Sequence, residues 1–424
     1  MKTLRICFIN PPHFNSTPVK IDPPLHLLSL ATYIQNDGYD STIVDLVGES
    51  DYLNKIPAAD IYGVSVYTPT LRAVEEILVR CKQINPACIT VVGGIHVTAL
   101  PNYRISNADI YIEGPGETAM LDLLQDYPYC SKRYKGKEVF NKMWSLNRNR
   151  INLDDYKRTV NGEKATAIQT SRGCPFSCAF CSEKVLHNKV RFLSTYSFGI
   201  EISDLRSKGY NNYFIHDDIF SLNKNRLKVI LNTLHSPKTK FDFHARVGST
   251  TPDDLISIKR TGGYTCRIGV ESFSTRMLTA MNKETTREQS IEFVKQAKDA
   301  GLITRVFILF GFPGEDERSV DETISGIEEC NPDQLTLATF VPYPGTDVYK
   351  RPFRYGVINL DKEFSHYNLS NENGLGDCTF ETDTLPKERF LDQQAKVYNH
   401  IYSRQMRGAV PFYQTELMKR LHEN

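Results

Sequence analysis

No apolar run in this 424-residue chain approaches the ~18 to 20 residues that a membrane span requires. One-sided charge is missing as well: 51 Lys and Arg stand against 50 Asp and Glu, a net charge of +1. That balance argues against a nucleic-acid-coating or polybasic membrane protein and leaves room only for a local patch. The N-terminus, Met-Lys-Thr-Leu-Arg-Ile-Cys-Phe-Ile-Asn-Pro-Pro, stops too soon for a signal peptide, lacks a cleavage site and reads as a strand. Repeats of solenoid period and low-complexity tracts are also absent. These absences lead us to expect a cytoplasmic protein without a membrane span and without a nucleic-acid partner. What remains is ordinary for a soluble protein, 40% hydrophobic and 24% charged. At roughly 150 residues per domain the length suggests two or three domains, large enough to fold without a disulfide or metal staple. Ten cysteines with no export signal point to a reducing cytosol, where clustered thiols bind metal more often than they form disulfides.

Residues 1–127 alternate short apolar runs with helical patterns. Strands are expected at Arg5 to Ile9, Ser41 to Val44, Ile61 to Val66, Ile89 to Val92 and Ile110 to Ile112. Leu27, Ala31 and Ile34 recur at helical spacing before Gly38, and Leu71, Val74, Leu78 and Cys81 share a face of another helix. The alternation implies an α/β fold, a doubly wound parallel sheet whose ligands bind at the carboxyl ends of its strands. Residues 128–165 break the pattern. From Ser131 to Arg150 seven basic residues (Lys132, Arg133, Lys135, Lys137, Lys142, Arg148, Arg150) meet one acidic residue, Glu138. The stretch reads as a solvated linker, with contact to an anionic substrate or partner as the alternative. Residues 166–342 return to alternation, with strands at Thr166 to Thr170, Tyr213 to His216, Phe241 to Val247, Cys266 to Val270, Thr304 to Leu309 and Gln334 to Phe340. Six βα units suggest a partial, TIM-like (βα)6 barrel with its active groups at the carboxyl ends of the strands. Residues 343–424 read as a mainly helical cap, with Leu391, Ala395, Tyr398 and Tyr402 on one helix face.

The sharpest signal is Ser171-Arg172-Gly173-Cys174-Pro175-Phe176-Ser177-Cys178-Ala179-Phe180-Cys181, a loop expected to follow a strand. Three thiolates at this spacing can converge on one metal centre. Four cysteines would close a [4Fe–4S] cluster, whereas three leave one iron with an open position. A zinc knuckle is the alternative, but zinc asks for a fourth Cys or His at regular spacing, and His187 is the only local candidate. The other seven cysteines are scattered and read as buried thiols.

The loop resembles the signature of the radical S-adenosylmethionine (SAM) superfamily. The resemblance implies a [4Fe–4S] cluster on Cys174, Cys178 and Cys181, whose open iron chelates SAM. Reduction would then cleave the sulfonium to methionine and a 5′-deoxyadenosyl radical, with the electron coming from an external donor such as flavodoxin or ferredoxin. Further segments match in order: Phe180 before the last cysteine, His216-Asp217-Asp218, Phe243-His244-Ala245-Arg246-Val247, Arg267-Ile268-Gly269-Val270-Glu271-Ser272, Phe310-Gly311-Phe312-Pro313-Gly314-Glu315 and Pro342-Tyr343-Pro344-Gly345-Thr346. By resemblance the SAM contacts are Phe180, His216, Asp217, Asp218, Arg246, Glu271 and Gly311. Two of these have plainer readings: Glu271 as a surface-turn carboxylate, and Arg246 as a structural partner of Asp217 or Asp218.

The N-terminal turns resemble the cobalamin-binding, Rossmann-like domain found ahead of many radical SAM barrels. Asn10-Pro11-Pro12 and Asp22-Pro23-Pro24-Leu25 take part in the match. The site residues it implies are Ser65, Tyr67, Thr68, Gly93, Gly94, Ile95, His96, Thr98, Glu113, Gly114, Gly116 and Glu117. Gly93 and Gly94 would let backbone approach the nucleotide tail closely, Ser65 would bond a buried nitrogen of it, and Glu117 would open a helix at its positive dipole end. No Asp-x-His-x-x-Gly follows the first strand, which implies a cobalt without that histidine beneath it. His13 reads as a solvated loop side chain, and His26 stands where relatives often have glycine. The resemblance implies a cobalamin-dependent methyltransferase acting on an unactivated carbon, or phosphorus, of a small molecule or peptide. Radical rearrangement, cyclisation or dehydrogenation, and a non-catalytic cofactor-binding regulator, are the alternatives.

Overall fold

The computed structural model describes residues 4–12, 19–140, 145–361, 363–367, 378–382, 389–390, 392–397 and 399. It divides into two compact units: Met1–Pro175 with Ser182–Phe214, and Phe176–Cys181 with Ile215–Asn424.

The first unit opens with β1 (Ile6–Asn10), α1 (Leu25–Gln35), β2 (Ser41–Asp45), β3 (Ile61–Ser65), α2 (Leu71–Ile84), β4 (Ile89–Gly93), α3 (Ile95–Ala99), β5 (Ile110–Glu113), α4 (Gly116–Asp126) and β6 (Arg133–Lys135). All pairings are parallel, in the order β2-β1-β3-β4-β5-β6. Every residue of β1 is buried, as a central parallel strand covered on both faces demands. The strand order reverses between β1 and β3, so the ligand crevice of such a sheet lies beyond the carboxyl ends of those strands. One core packs Ile6, Phe8, Ile61, Val91 and Ile112 against Leu27, Ala31, Ala119 and Leu123 of α1 and α4.

The segment read as a linker supplies the edge strand β6, and three of its basic residues are consumed by ion pairs. Arg133 pairs with Glu113 at 2.9 Å and Arg150 with Asp40 at 2.8 Å. Arg148, fully buried, pairs with Glu201. Burying that charge is tolerable only because its partner is buried with it.

The chain continues through β7 (Thr159–Val160), β8 (Glu163–Ile168), β9 (Ser171–Arg172), α5 (Glu183–Leu186), β10 (Arg191–Phe192), α6 (Thr195–Ser207) and β11 (Asn212–Ile215). β7 and β8 form an antiparallel pair with β11 next to β8, and β9 pairs antiparallel with β10. The second unit follows with α7 (Lys224–Leu234), β12 (Phe241–Ala245), α8 (Pro252–Thr261), β13 (Gly263–Glu271), α9 (Thr275–Ala280), α10 (Arg287–Asp299), β14 (Ile303–Phe310), α11 (Glu317–Cys330) and β15 (Gln334–Thr339). β12 to β15 pair parallel in chain order. Capping boxes start α8, α10 and α11 at Thr251, Thr286 and Asp316, which fixes where each strand-to-helix turn ends. A short helix α12 (Asp347–Lys350) and an antiparallel pair, β16 (Val357–Leu360) with β17 (Phe380–Thr382), follow. Of the expected C-terminal helix face, Leu391, Tyr398 and Tyr402 lie outside the described residues, and Ala395 is exposed. Among the described residues no helix is long and apolar enough to cross a membrane.

Candidate functional site

The cysteine loop leaves β9 at Gly173, whose φ of +88° and tight surroundings exclude a side chain: a Cβ would sit 2.8 Å from the Lys189 carbonyl oxygen. Cys174 and Cys178 are half-buried and Cys181 is exposed; none of the ten cysteines is in a disulfide. Within the second unit the loop backbone is pinned from two sides. The Ala179 N–H donates to the Met281 carbonyl at 2.8 Å, and the Ala179 carbonyl accepts from the Asp347 N–H at 3.1 Å. Asn282 Nδ2 donates to the Ser177 carbonyl at 2.8 Å. Cys181 N–H closes a turn onto the Cys178 carbonyl at 3.1 Å.

Among the described residues no three His, Cys, Asp or Glu side chains are gathered closely enough to hold a metal ion. The chemistry of the donor set nevertheless fits an iron–sulfur cluster: three soft thiol ligands on one short, backbone-anchored loop, outside the apolar core. Cys7, Cys81, Cys88, Cys266 and Cys330 are buried, and Cys130 and Cys378 half-buried. Burial pushes the Cys7 thiol up to about 11 and raises Cys266 further, so both stay protonated and inert. His187 places Nδ1 2.7 Å from Glu138 Oε2 and Nε2 4.0 Å from Glu183 Oε1.

The residues matched to SAM contacts all fall in the second unit. Phe180 packs against a cluster containing Met277, Phe312 and Phe340. After β11, His216 and Asp218 are exposed while Asp217 is buried, its carbonyl 3.3 Å from His244 Nδ1. Arg246 is buried: it donates to the carbonyls of Val247 and Lys283, and its guanidinium carbon lies 3.4 Å from the Phe176 ring centroid. Glu271 has a φ of +72°, rare for a residue with a side chain, at a β-bulge where the β13–β14 register shifts. It is no surface-turn carboxylate, because Lys283 Nζ donates to its Oε1 at 2.8 Å and both side chains are largely buried. Gly311, at φ +84°, lies under Phe390, where a Cβ would be 2.3 Å from the ring. Its N–H is accepted by Glu315, a buried carboxyl that burial pushes up to about 8 against that hydrogen bond. Lys283 and Phe390 belong to none of the matched motifs. Their roles come from the bulge and from a segment distant in sequence, neither of which periodicity reveals.

In the first unit, the turns after β3, β4 and β5 are cross-linked. Val66 N–H donates to the Gly93 carbonyl at 2.8 Å and His96 N–H to the Val66 carbonyl at 3.2 Å. Thr98 Oγ1 donates to the Gly94 carbonyl at 2.9 Å and accepts from the Gly114 N–H at 2.9 Å. Gly94, at φ +105°, is required by the protein itself, since a Cβ would stand 3.1 Å from the Val66 carbonyl oxygen; Gly93 meets only Ile112, at 3.4 Å. Ser65 and Ile95 are half-buried at the ends of β3 and the start of α3. Burial pushes Tyr67 up to about 12, and its ring meets His26 edge-on at 6.0 Å. His96 is buried with Nδ1 3.2 Å from Thr68 Oγ1, and burial pushes it down to about 4, so it is neutral near pH 7. Gly114 packs against the Gly136 carbonyl and Gly116 against Leu30. Glu113 is held by Arg133, as noted above, and Glu117 by Arg172 at 2.7 Å and by Ser29 at 2.6 Å. His13 lies outside the described residues.

Comparison with known proteins matches both regions. The radical SAM superfamily profile covers residues 168–326, and the B12 binding domain profile covers residues 17–124. An uncharacterized methyltransferase of Pyrococcus horikoshii is 29% identical over 399 residues, 85% of this chain and 84% of that protein. The anaerobic magnesium-protoporphyrin IX monomethyl ester cyclase of Rubrivivax gelatinosus is 25% identical over 393 residues, 82% of this chain and 70% of that one. Two solved structures share the fold. The radical SAM methyltransferase TsrM of Kitasatospora setae, with cobalamin and a [4Fe–4S] cluster bound, has a TM-score of 0.69 at 15% identity, over 94% of this chain and 89% of that one. The cobalamin-dependent radical SAM enzyme OxsB, with aqua-cobalamin and SAM bound, has a TM-score of 0.73 at 17% identity, over 100% and 71%. The shared architecture is a doubly wound parallel-sheet domain followed by a partial (βα)6 barrel.

Proposed function

Because the chain belongs to the radical SAM superfamily and carries a B12 binding domain ahead of its radical SAM domain, we propose that it is a cobalamin-dependent radical SAM methyltransferase. Its target is an unactivated carbon, or phosphorus, of a small molecule or peptide. The observation that carries this reading is the occurrence of both domains in one chain, together with a cysteine loop whose three thiols lie outside the core. Cys174, Cys178 and Cys181 would hold a [4Fe–4S] cluster. Phe180, Arg246, Glu271 and Gly311, with His216, Asp217 and Asp218, would receive SAM. The turns at Ser65–Thr68, Gly93–Thr98 and Glu113–Glu117 would receive cobalamin. When bound, these groups supply a one-electron reductant, a radical source and a methyl carrier, chemistry that no side chain provides. The chain's share is binding and orientation: Met281, Asn282 and Asp347 hold the loop backbone at Ser177 and Ala179, on either side of Cys178. A flavodoxin or ferredoxin of the cytosol is the electron donor we expect.

The test is anaerobic reconstitution with SAM and a reductant, followed by product analysis. Methyl transfer requires S-adenosylhomocysteine alongside 5′-deoxyadenosine. Similarity to the Rubrivivax cyclase favours a second reading, radical cyclisation or a related rearrangement or dehydrogenation, and deoxyadenosine alone would select it. Reduced protein that leaves SAM intact would instead indicate a cofactor-binding regulator.

A further inference from the structure

Lys283 lies in the turn between α9 and α10, is 5% exposed, and is reached by no motif. Its Nζ sits 2.8 Å from Glu271 Oε1 and 5.6 Å from the centroid of the Phe180 ring. Its carbonyl accepts from Arg246, which in turn stacks on Phe176. Both aromatic rings of the cysteine loop thus have a cation against them, and Lys283 is bonded to each arrangement. The two residues before it grip the loop backbone, through the Met281 carbonyl and Asn282 Nδ2. Asn282 and Glu284 flank it at φ +53° and +58°, backbone that side-chain-bearing residues adopt under constraint. Gly269 clears the volume the pair fills: a Cβ there would be 2.7 Å from Glu271 Oε1 and 3.3 Å from Lys283 Nζ.

We propose that Lys283 is the positioning residue of the SAM site. It fixes one oxygen of Glu271 through a buried ion pair and leaves the other to accept from a hydroxyl or ammonium donor of SAM. The inference rests on the reading that Glu271 faces SAM. A buried carboxylate with one oxygen anchored loses little freedom when a ligand binds, so the anchor contributes to affinity without touching the ligand. Lys283 also ties that carboxylate to the loop carrying the cluster thiols, so both ends of one ligand would be held by one rigid turn.

The experiment compares wild type, Lys283→Met and Lys283→Arg, each reconstituted to the same iron content, by equilibrium dialysis against SAM. Lys283→Met should bind SAM about 10- to 100-fold more weakly, the range for losing a group that orients a ligand-holding side chain. Lys283→Arg should recover most of that loss. In deoxyadenosine formation the KM for SAM should rise in Lys283→Met far more than kcat falls, a split that general loosening of the fold would not produce. Should Lys283→Met fail to load iron, Glu271→Gln serves, because it retains the side-chain shape and removes the ion pair; its affinity should fall comparably. Wild-type affinity in either iron-loaded variant overturns the proposal, as does a Lys283→Arg as weak as Lys283→Met. Wild-type protein that loads iron yet does not bind SAM removes the reading of the site and this inference together.

Discussion

Arg172, two residues ahead of the first cysteine of the loop, places Nη1 2.7 Å from Glu117 Oε1 in the first turn of α4. Its Nη2 reaches Ser29 Oγ at 2.9 Å, its Nε reaches Gln169 at 3.0 Å, and its guanidinium lies on the Phe140 ring. The stem of the cysteine loop is therefore fastened by a buried ion pair to the helix that closes the doubly wound sheet. Burial alone would push the Glu117 carboxyl up; the charge and hydrogen bond of Arg172, with the Ser29 hydroxyl, hold it below the usual carboxylate range.

Breaking that pair should be costly because it leaves a buried charge alone. Arg172→Ala is expected to destabilise the protein by about 3–5 kcal/mol, while an Arg172→Met, Glu117→Leu double variant should recover much of the loss. Urea denaturation of the three proteins checks this. The pH dependence has a definite sign, since the folded carboxyl is depressed. The contribution of Glu117 is complete above the ordinary value of 4.5 and is lost as pH falls through the lower folded value.

Glu315 should behave in the opposite way. Its folded value is raised to about 8 from 4.5, so its contribution is complete below pH 4.5 and is lost as pH rises through about 8. Glu315→Gln, whose amide oxygen can still accept from Gly311, should flatten that slope. The variant is expected to be more stable than wild type at pH 8.5 and to lose the advantage near pH 5, read as the shift in urea midpoint at each pH.

The two adjacent glycines should differ. Gly94→Ala meets backbone at 3.1 Å and a φ of +105°, whereas Gly93→Ala makes an ordinary contact with Ile112 at 3.4 Å. Gly94→Ala should cost about 1–3 kcal/mol and Gly93→Ala much less, measured by thermal denaturation.

These contrasts show how far the sequence could be read. The parallel strands were legible because most are short runs rich in apolar and β-branched residues bounded by turn residues, even where, as in Ser41–Asp45, the burial is only partial. β6 was not, since Arg133-Tyr134-Lys135 is a polar edge strand whose pairing with β5 depends on tertiary context. The glycine pair reads in sequence as one close approach to a ligand, but at Gly94 the approaching backbone is the protein's own Val66, and Gly93 makes only an ordinary contact with Ile112. Arg172 lies inside the cysteine-loop motif, but its partner Glu117 is 55 positions away, beyond the reach of any local pattern. Lys283 carries no motif, and its task exists only once the bulge at Glu271 is formed.

The central claim is that one chain holds two metal cofactors on separate sets of residues, and metal analysis of anaerobically reconstituted protein tests it most directly. Wild type should carry about four irons per chain and cobalt equimolar with protein. Cys178→Ala should lose the iron and keep the cobalt, and Gly94→Val should lose the cobalt and keep the iron. A full iron complement in Cys178→Ala, or wild-type protein that loads its cluster and takes up no cobalamin, would contradict the account.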